Sequence, residues 1–577
     1  MTGRRGVSVR VLVLVLLVTL TSCATVPTSS PVRVLGRAGE GERTAAAGPV
    51  DGSNPLDLVR DFVFASGSSI DRHGAARRFL VPEAEGWDDT AGLTVLDGQF
   101  DTVPTPGAPN ASDATTIRIR GTAIGRLGSA GAFEPDQTIF QQDVTVVRRE
   151  GQWRIASLPS GVVLPLSIFL DNYRPVRTWF IDPVRRLAAA DQRYLPAVPA
   201  PAQAARVVEL LLDGPSAALA GAAVSALPPG ARLRSNVATG PDGALVVDLT
   251  QVGELDEPTR RLIAGQVVLT LDEVNVPRVR LLVDGEPLLP DRPDVTRADV
   301  ADLVAEAQPG PDVPGLVAAD GRLRQISGAD PTVVLPGPAG NGTYDIESAA
   351  TSVDGRQLAA VVRQADRRAL PVGGIADPVL TPVPLDAATM TRPTWAPAGN
   401  EVWTVLDGRT VARVLLDGVG SPRTGEVDAE DLAAIGPIRD LRLSRDGMRV
   451  LAVIGGGLYV GAVARSADGQ VRIRNVRRLR PLDLGEVVAG DWRTGDAVVT
   501  VSRGADPLIA QTTVDGLGMQ PVLGINLTPP LSAIAAASNR PLLVTDQTGV
   551  WSFAFGDQAA WRQVLGGAPD AVPLYPG

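Results

Sequence analysis

Two segments of the C-terminal half, SVDGRQLAAVV (residues 352–362) and SRDGMRVLAVI (residues 444–454), carry the same device. Each is a tight Ser-x-Asp-Gly turn followed at once by an apolar strand. Glycine takes the left-handed backbone such a turn requires, and the short polar side chains bond the backbone around it. Three looser copies are WAPAGNEVWTVL from Trp395, WRTGDAVVTVS from Trp492 and SNRPLLVTD from Ser538. Aligned turn positions fall at Gly355, Gly399, Gly447, Gly495 and Arg540, so the spacings are 44, 48, 48 and 45. A period of that length matches one four-stranded propeller blade. Residues 314–577 are therefore expected to form an all-β propeller of five or six blades. GLVAADGRLRQI, from Gly315, reads as an outer hairpin lacking an inner strand. The C-terminal AVPLYP could supply it and close the ring.

Upstream of the propeller the pattern changes. In LDLVRDFVFASGS, Leu58, Phe62 and Ala65 share one helical face, and GAARRFLVPEAEGW reads as a second short helix stopped by Pro82. TTIRIRGTAIGRL and QTIFQQDVTVVRREGQWRIASLP then alternate with a period of two, with Glu150-Gly151 as a hairpin turn. That order marks residues 55–170 as an α+β domain of cystatin-like or NTF2-like type, in which Trp153 is read as a core residue.

The next stretch, residues 173–289, reads β-α-β-β-α-β. It opens on the strand RTWFIDP. A helix follows, with Val207, Val208, Leu211 and Leu212 on one face and Gly214-Pro215 as its stop. Two strands turn at Asp242-Gly243. A second helix presents Leu262, Ile263, Gln266, Val267 and Thr270 before the strand PRVRLLVDGEPL. The motifs Leu211-Leu212-Asp213-Gly214-Pro215-Ser216, Pro228-Pro229-Gly230, Val247-Asp248-Leu249, Gln266 with Thr270, and Val283-Asp284-Gly285 resemble the α/β GerMN domain of spore-germination and lipoprotein families. Turn and strand-end chemistry accounts for each of them, and none is assigned to catalysis. Residues 290–313 form a connector with a helix expected near 295–307.

The amino terminus sets the compartment. Arg4, Arg5 and Arg10 precede an apolar run over residues 11–20. Ten helical residues reach roughly 15 Å, about half a bilayer core, so residues 1–22 read as a signal peptide rather than a span. The run ends Leu20-Thr21-Ser22-Cys23, which resembles the bacterial lipobox. That resemblance implies that Cys23 becomes the lipid attachment site, carrying S-diacylglycerol and an N-palmitoyl chain. Cys23 is the only cysteine, so no disulfide is available. Residues 23–54, rich in Pro, Ser, Thr, Gly and Ala, read as a flexible tether with a reach of ~30 Å.

Composition narrows the chemistry. The 54 basic residues are all arginine, and the net charge is −10 before Arg4, Arg5 and Arg10 leave with the signal peptide. No long basic block offsets that balance, so nucleic acid is not an expected partner. His73 is the only histidine. With no free thiol after lipidation, triad catalysis and His/Cys zinc sites have almost nothing to draw on. A carboxylate pair could still serve a glycosidase, but no pair stands out. No cofactor, no metal and no catalytic residue is expected.

The lipobox, the α+β domain, the GerMN motifs and the Ser-x-Asp-Gly repeats, in this order, are similar to the LpqB lipoprotein family of actinobacteria. The resemblance implies a protein on the outer face of the cytoplasmic membrane, held to the lipid bilayer through Cys23. It implies an accessory or regulator of a two-component sensor kinase of MtrA–MtrB type, which contacts the kinase's extracytoplasmic domain and affects cell-wall homeostasis and division. A cell-wall carbohydrate binder or sensor is the alternative, and a cell-wall hydrolase using a carboxylate pair a further one.

Overall fold

The Ser-x-Asp-Gly turns are built from their own side chains. In the computed structural model the Ser352 hydroxyl donates to Asp354 and accepts the N–H of Gln357 at 2.9 Å, while Asp354 accepts the N–H of Arg356 at 3.1 Å. Around the second turn, Ser444 donates to Asp446 and accepts from the Arg449 N–H at 2.9 Å, and Asp446 accepts from Met448 at 2.9 Å. Gly355 (φ 70°) and Gly447 (φ 68°) supply the left-handed step. At the fifth copy that step falls on Asn539 (φ 58°), one residue before the aligned Arg540. Asparagine is among the residues that best tolerate it.

The structure describes residues 48–577 apart from 107–111, 305–306, 327–332, 417–420, 481–482, 505–506 and 557–558. The Cys23 lipobox and the tether up to residue 47 lie outside the described residues. Ala47–Gly577 form one compact unit. Within it the turns organise six four-stranded antiparallel sheets, so the propeller has six blades. In blade 1 the innermost strand is Val572–Leu574, followed outward by Gly315–Ala319, Arg322–Ile326 and Val333–Val334. Leu316 pairs with Leu574, so the C-terminal strand closes the ring. Innermost strands of blades 2 to 6 are Ile346–Thr351, Thr394–Trp395, Ile438–Leu443, Glu486–Thr494 and Ala533–Ala535. Two buried indoles repeat the same link between neighbours. Trp395 donates to the Ala350 carbonyl (2.9 Å) and Trp492 to that of Arg442 (3.0 Å). Each joins a large apolar area to one satisfied polar tip.

Ahead of the propeller, helix α1 (Pro55–Ala65) starts where Asn54 accepts the N–H groups of Leu56 and Asp57, with Pro55 in its first turn. It buries Leu58, Val59, Phe62 and Val63. They pack against a sheet of β1 (Leu93–Leu96), β2 (Asp101–Pro104), β3 (Ala114–Leu127), β4 (Phe133–Arg149), β5 (Gln152–Ser157) and β6 (Val162–Pro165). The order is β5-β4-β3-β1-β6, with β2 also on β3. Glu150 (φ 52°) and Gly151 (φ 80°) form the two-residue turn between β4 and β5. Trp153 packs half-buried at the margin of this core.

The middle domain departs from the expected β-α-β-β-α-β order in one respect. Its first strand, β7 (Tyr173–Ile181), does not join the domain sheet. It pairs along its whole length with β8 (Ala188–Pro196) in a hairpin of its own. Both faces of β8 are covered, with Asp191 and Arg193 among its buried residues, so the segment lacks the polar–apolar alternation that marks a half-exposed strand. Helix α2 (Ala200–Leu212) follows, then β9 (Arg232–Leu233), β10 (Ala238–Thr239), β11 (Leu245–Thr250), helix α3 (Glu257–Asp272), β12 (Val279–Val283), β13 (Glu286–Pro287) and β14 (Asp294–Val295). β11 and β12 run parallel across the α3 crossover. Every residue from Leu262 to Leu271 is buried, as befits a helix covered on all sides. The connector helix is a 3₁₀ run, Arg297–Leu303, begun by reciprocal bonds between Thr296 and Asp299. Leu303 fills the space over Gly265 of α3, where a Cβ would lie 2.5 Å from its methyl.

Candidate functional site

His73, Gln266, Thr270 and Asp248, which the sequence singles out, each hold hydrogen-bond partners within the fold. His73 is buried and stands in the left-handed region (φ 55°) ahead of a four-residue helix, Gly74–Arg77. Its Nδ1–H donates to the Ser66 carbonyl at 2.9 Å and its ring meets Trp87 edge-on. Burial holds the imidazole below its ordinary pKa. Gln266 accepts the Ala226 N–H (2.7 Å) and donates to Ser225. Thr270 donates to the Gln266 carbonyl and accepts the Trp179 N–H at 3.0 Å, tying α3 to β7. Asp248 accepts from the Gly285 N–H (3.1 Å) and from Arg234, pinning the Val283-Asp284-Gly285 turn. Among the described residues no group of three or more His, Cys, Asp or Glu side chains is placed to hold a metal. Nor is any helix there long and apolar enough to cross a membrane.

Two polar clusters escape a linear reading. One fills the propeller axis. Arg392, just before the inner strand of blade 3, donates to Ile534 and Pro573 carbonyls (both 3.1 Å) on blades 6 and 1. Arg442 reaches Asp491 at 3.3 Å and the Pro393 carbonyl. Arg445 donates to Ala536 (2.9 Å) and Pro576. The carboxylates are equally committed. Asp440 accepts the Gly490 N–H at 3.3 Å, and Asp491 accepts those of Trp492 (2.9 Å) and Ala536 (3.0 Å). Burial raises the Asp440 pKa and pulls Arg442 down to about 10. Burial would also raise Asp491, but Arg442, Arg392 and Arg445 together hold it below the usual carboxylate range. A raised and a depressed carboxyl side by side is the electronic pattern of a glycosidase pair. Here both acids are buried: Asp491 is paired with Arg442 and Arg392 and bonded to backbone N–H groups, and Asp440 is bonded to the Gly490 N–H. The sequence signal is the alternation in IRDLRLSRDG, where Asp440 and Arg442 fall on one face of an innermost strand.

The second cluster surrounds the β7–β8 hairpin, where the three domains meet. Arg193, with no exposed surface, bonds Asp191 (2.8 Å), the Gly214 carbonyl (2.9 Å) and the Ala130 carbonyl of the β3–β4 hairpin (2.7 Å). Asp191 in turn accepts the hydroxyl (2.8 Å) and N–H (2.7 Å) of Ser216. On the propeller side Tyr194 donates to Asp515 (2.8 Å), Arg449 to the Ala190 carbonyl (2.6 Å), and Arg185 to the Asp446 carbonyl (2.7 Å). Apolar contacts cross too. Leu517 of the propeller enters the N-terminal core, and Met448 and Ala462 enter the middle one. Buried charges bonded to groups from all three domains favour one arrangement.

Family models match three successive segments: the lipoprotein LpqB N-terminal domain at residues 48–170, the sporulation and spore germination domain at 177–289, and the lipoprotein LpqB beta-propeller domain at 321–576. A lipoprotein LpqB of Rhodococcus opacus is 33% identical over 590 residues, covering 98% of this chain and 97% of its own. The chain belongs to the LpqB lipoprotein family. The lipoprotein LpqB of Mycobacterium leprae, 32% identical over 604 residues, covers 99% of this chain and all of its own length. Among solved structures, TolB from Acinetobacter baumannii aligns at a TM-score of 0.34 with 13% identity, over 45% of this chain and 65% of its own. The order of LpqB segments is that of the domains above. The β7–β8 hairpin stands at the seam between the first two segments, and its polar bonds hold all three together.

Proposed function

We propose that this LpqB-family chain is a lipid-anchored protein of the outer face of the cytoplasmic membrane that regulates a two-component sensor kinase of MtrA–MtrB type. It does so by binding the kinase's extracytoplasmic domain, and through it affects cell-wall homeostasis and division. The observation that carries this reading is the filled propeller axis, in which Arg392, Arg442 and Arg445 occupy the place where a propeller could admit a small substrate. The working surface is then the outside of one unit built from three domains. A compact body whose domains are joined by buried contacts suits docking to a partner domain, since little ordering entropy is lost on binding. Acylation of Cys23 brings that body to the membrane that also holds the kinase. More than one acyl chain is needed for firm retention.

The test is a pull-down between the soluble fragment Ala47–Gly577 and the kinase ectodomain. Saturable binding is expected, and its repeated absence would overturn the assignment. The anchor is tested separately. A Cys23→Ala variant is expected to lose membrane retention and acylation, and normal acylation of that variant would refute the role given to Cys23.

A further inference from the structure

The open face of the N-terminal sheet carries a cleft of about 630 Å³ between β1, β3, β4 and the loop before β6. Its frame is fixed. The Gly161 N–H donates to Asp88 (2.7 Å), the Val162 N–H to Gly92 (2.9 Å), and the Trp87 indole to Pro159 (3.2 Å). A Cβ on Gly161 would stand 2.9 Å from the Gly92 carbonyl oxygen, so this rim closes on glycine. On one wall Arg118 and Asp143 form a two-pronged pair at 2.7 and 2.8 Å, with Thr105 also on Asp143 at 3.2 Å. That carboxyl is held below its usual range by the Arg118 hydrogen bonds.

Four other lining side chains are uncommitted. Thr94, Arg126, Gln142 and Ser160 have neither hydrogen bond nor ion pair among the described residues. Arg126 lies cross-strand from Thr94 and from Glu134. Glu134 makes no ion pair with it and lines instead a small cavity beside Arg477. A preformed cleft therefore holds one free guanidinium, on the exposed Arg126, with one carboxamide and two hydroxyls. That combination fits a ligand rich in hydroxyls and carrying an anionic oxygen. It does not fit an apolar one.

We propose that this cleft binds an acidic saccharide, its carboxylate or phosphate taken by Arg126 and its ring hydroxyls by Gln142, Thr94 and Ser160. The assignment is independent of kinase binding. Calorimetric titration of Ala47–Gly577 with three probes tests it: the N-acetylglucosamine–N-acetylmuramic acid disaccharide, neutral chitobiose and inorganic phosphate. The acidic disaccharide is expected to bind at least about tenfold tighter than either other probe, and Arg126→Gln to weaken it about tenfold. Arg120→Gln, on the same strand as Arg126 but paired with Asp101 of β2, is the matched control and should change nothing. Equal binding of neutral and acidic sugars, indifference to Arg126→Gln, or no binding of any probe would overturn the proposal. Phosphate binding as tightly as the disaccharide would overturn its saccharide part. A failed kinase pull-down leaves each of these outcomes readable.

Discussion

Tyr194 and Asp515, 321 residues apart, share a 2.8 Å hydrogen bond that is closed to solvent and joins the β7–β8 hairpin to the propeller. Burial, and then the Asp515 charge, push the phenol far above its ordinary pKa, so it stays a donor at any working pH. Tyr194→Phe removes the donor and leaves a buried carboxylate short of a partner. The expected loss is about 1–3 kcal/mol in urea unfolding of Ala47–Gly577. Protease sensitivity should rise at the domain junction before it rises within the blades. Unchanged unfolding would mean that water replaces the phenol there.

The axial cluster predicts a pH dependence. Asp491 is depressed in the folded state by three guanidinium groups. The stability it contributes is therefore present above its unfolded pKa and is lost as pH falls through its folded value. Asp491→Asn removes that contribution and strands Arg392 and Arg442. At neutral pH the variant should unfold about 3–5 kcal/mol more easily, and the difference from wild type should shrink as the medium is acidified. A difference that does not vary with pH would refute this account of the axis.

Local chemistry was legible in the sequence and long-range chemistry was not. Glu150-Gly151, Gly355 and Gly447 announce their turns because the constraint lies within four residues. Their spacing and the orphan hairpin at Gly315 left the blade count at five or six, and the pairing of Gly315–Ala319 with the C-terminal strand makes it six. By contrast Arg392 is explained by carbonyls at 534 and 573, and Arg193 by one at 130. No window along the chain contains both partners. β8 escaped because its buried polar residues erase the alternation that defines an exposed strand. The same reason hid the cleft, whose Thr94, Arg126 and Ser160 come from three separate elements.

Two glycines separate backbone strain from crowding. Gly355 and Gly399 share φ 70°. A Cβ on Gly355 would meet Val313 Cγ1 at 2.6 Å, whereas one on Gly399 meets only Ser352 Cβ at 3.7 Å. Alanine at Gly399 should cost about 1–2 kcal/mol from the left-handed backbone alone. Alanine at Gly355 should cost more, because the connector at Val313 must also shift. Thermal unfolding of the pair measures the difference, and equal losses would show that the connector yields freely.

Removing residues 572–577 tests ring closure. The deletion takes away the inner strand of blade 1, so Leu316 and Ala318 lose the partners that cover them. It also strips carbonyl acceptors at Pro573 and Pro576 from Arg392 and Arg445. Arg445 is buried and the Arg392 side chain is only 8% exposed, and an unpaired buried charge is among the most damaging of single changes. The truncated fragment is expected to aggregate or to bind a hydrophobic dye on expression. The synthetic peptide AVPLYPG (residues 571–577), added in excess during refolding, should restore part of the soluble, dye-silent form, because only that strand is missing. A truncated chain as soluble and as heat-stable as the full fragment would show that the other five blades hold the ring without it.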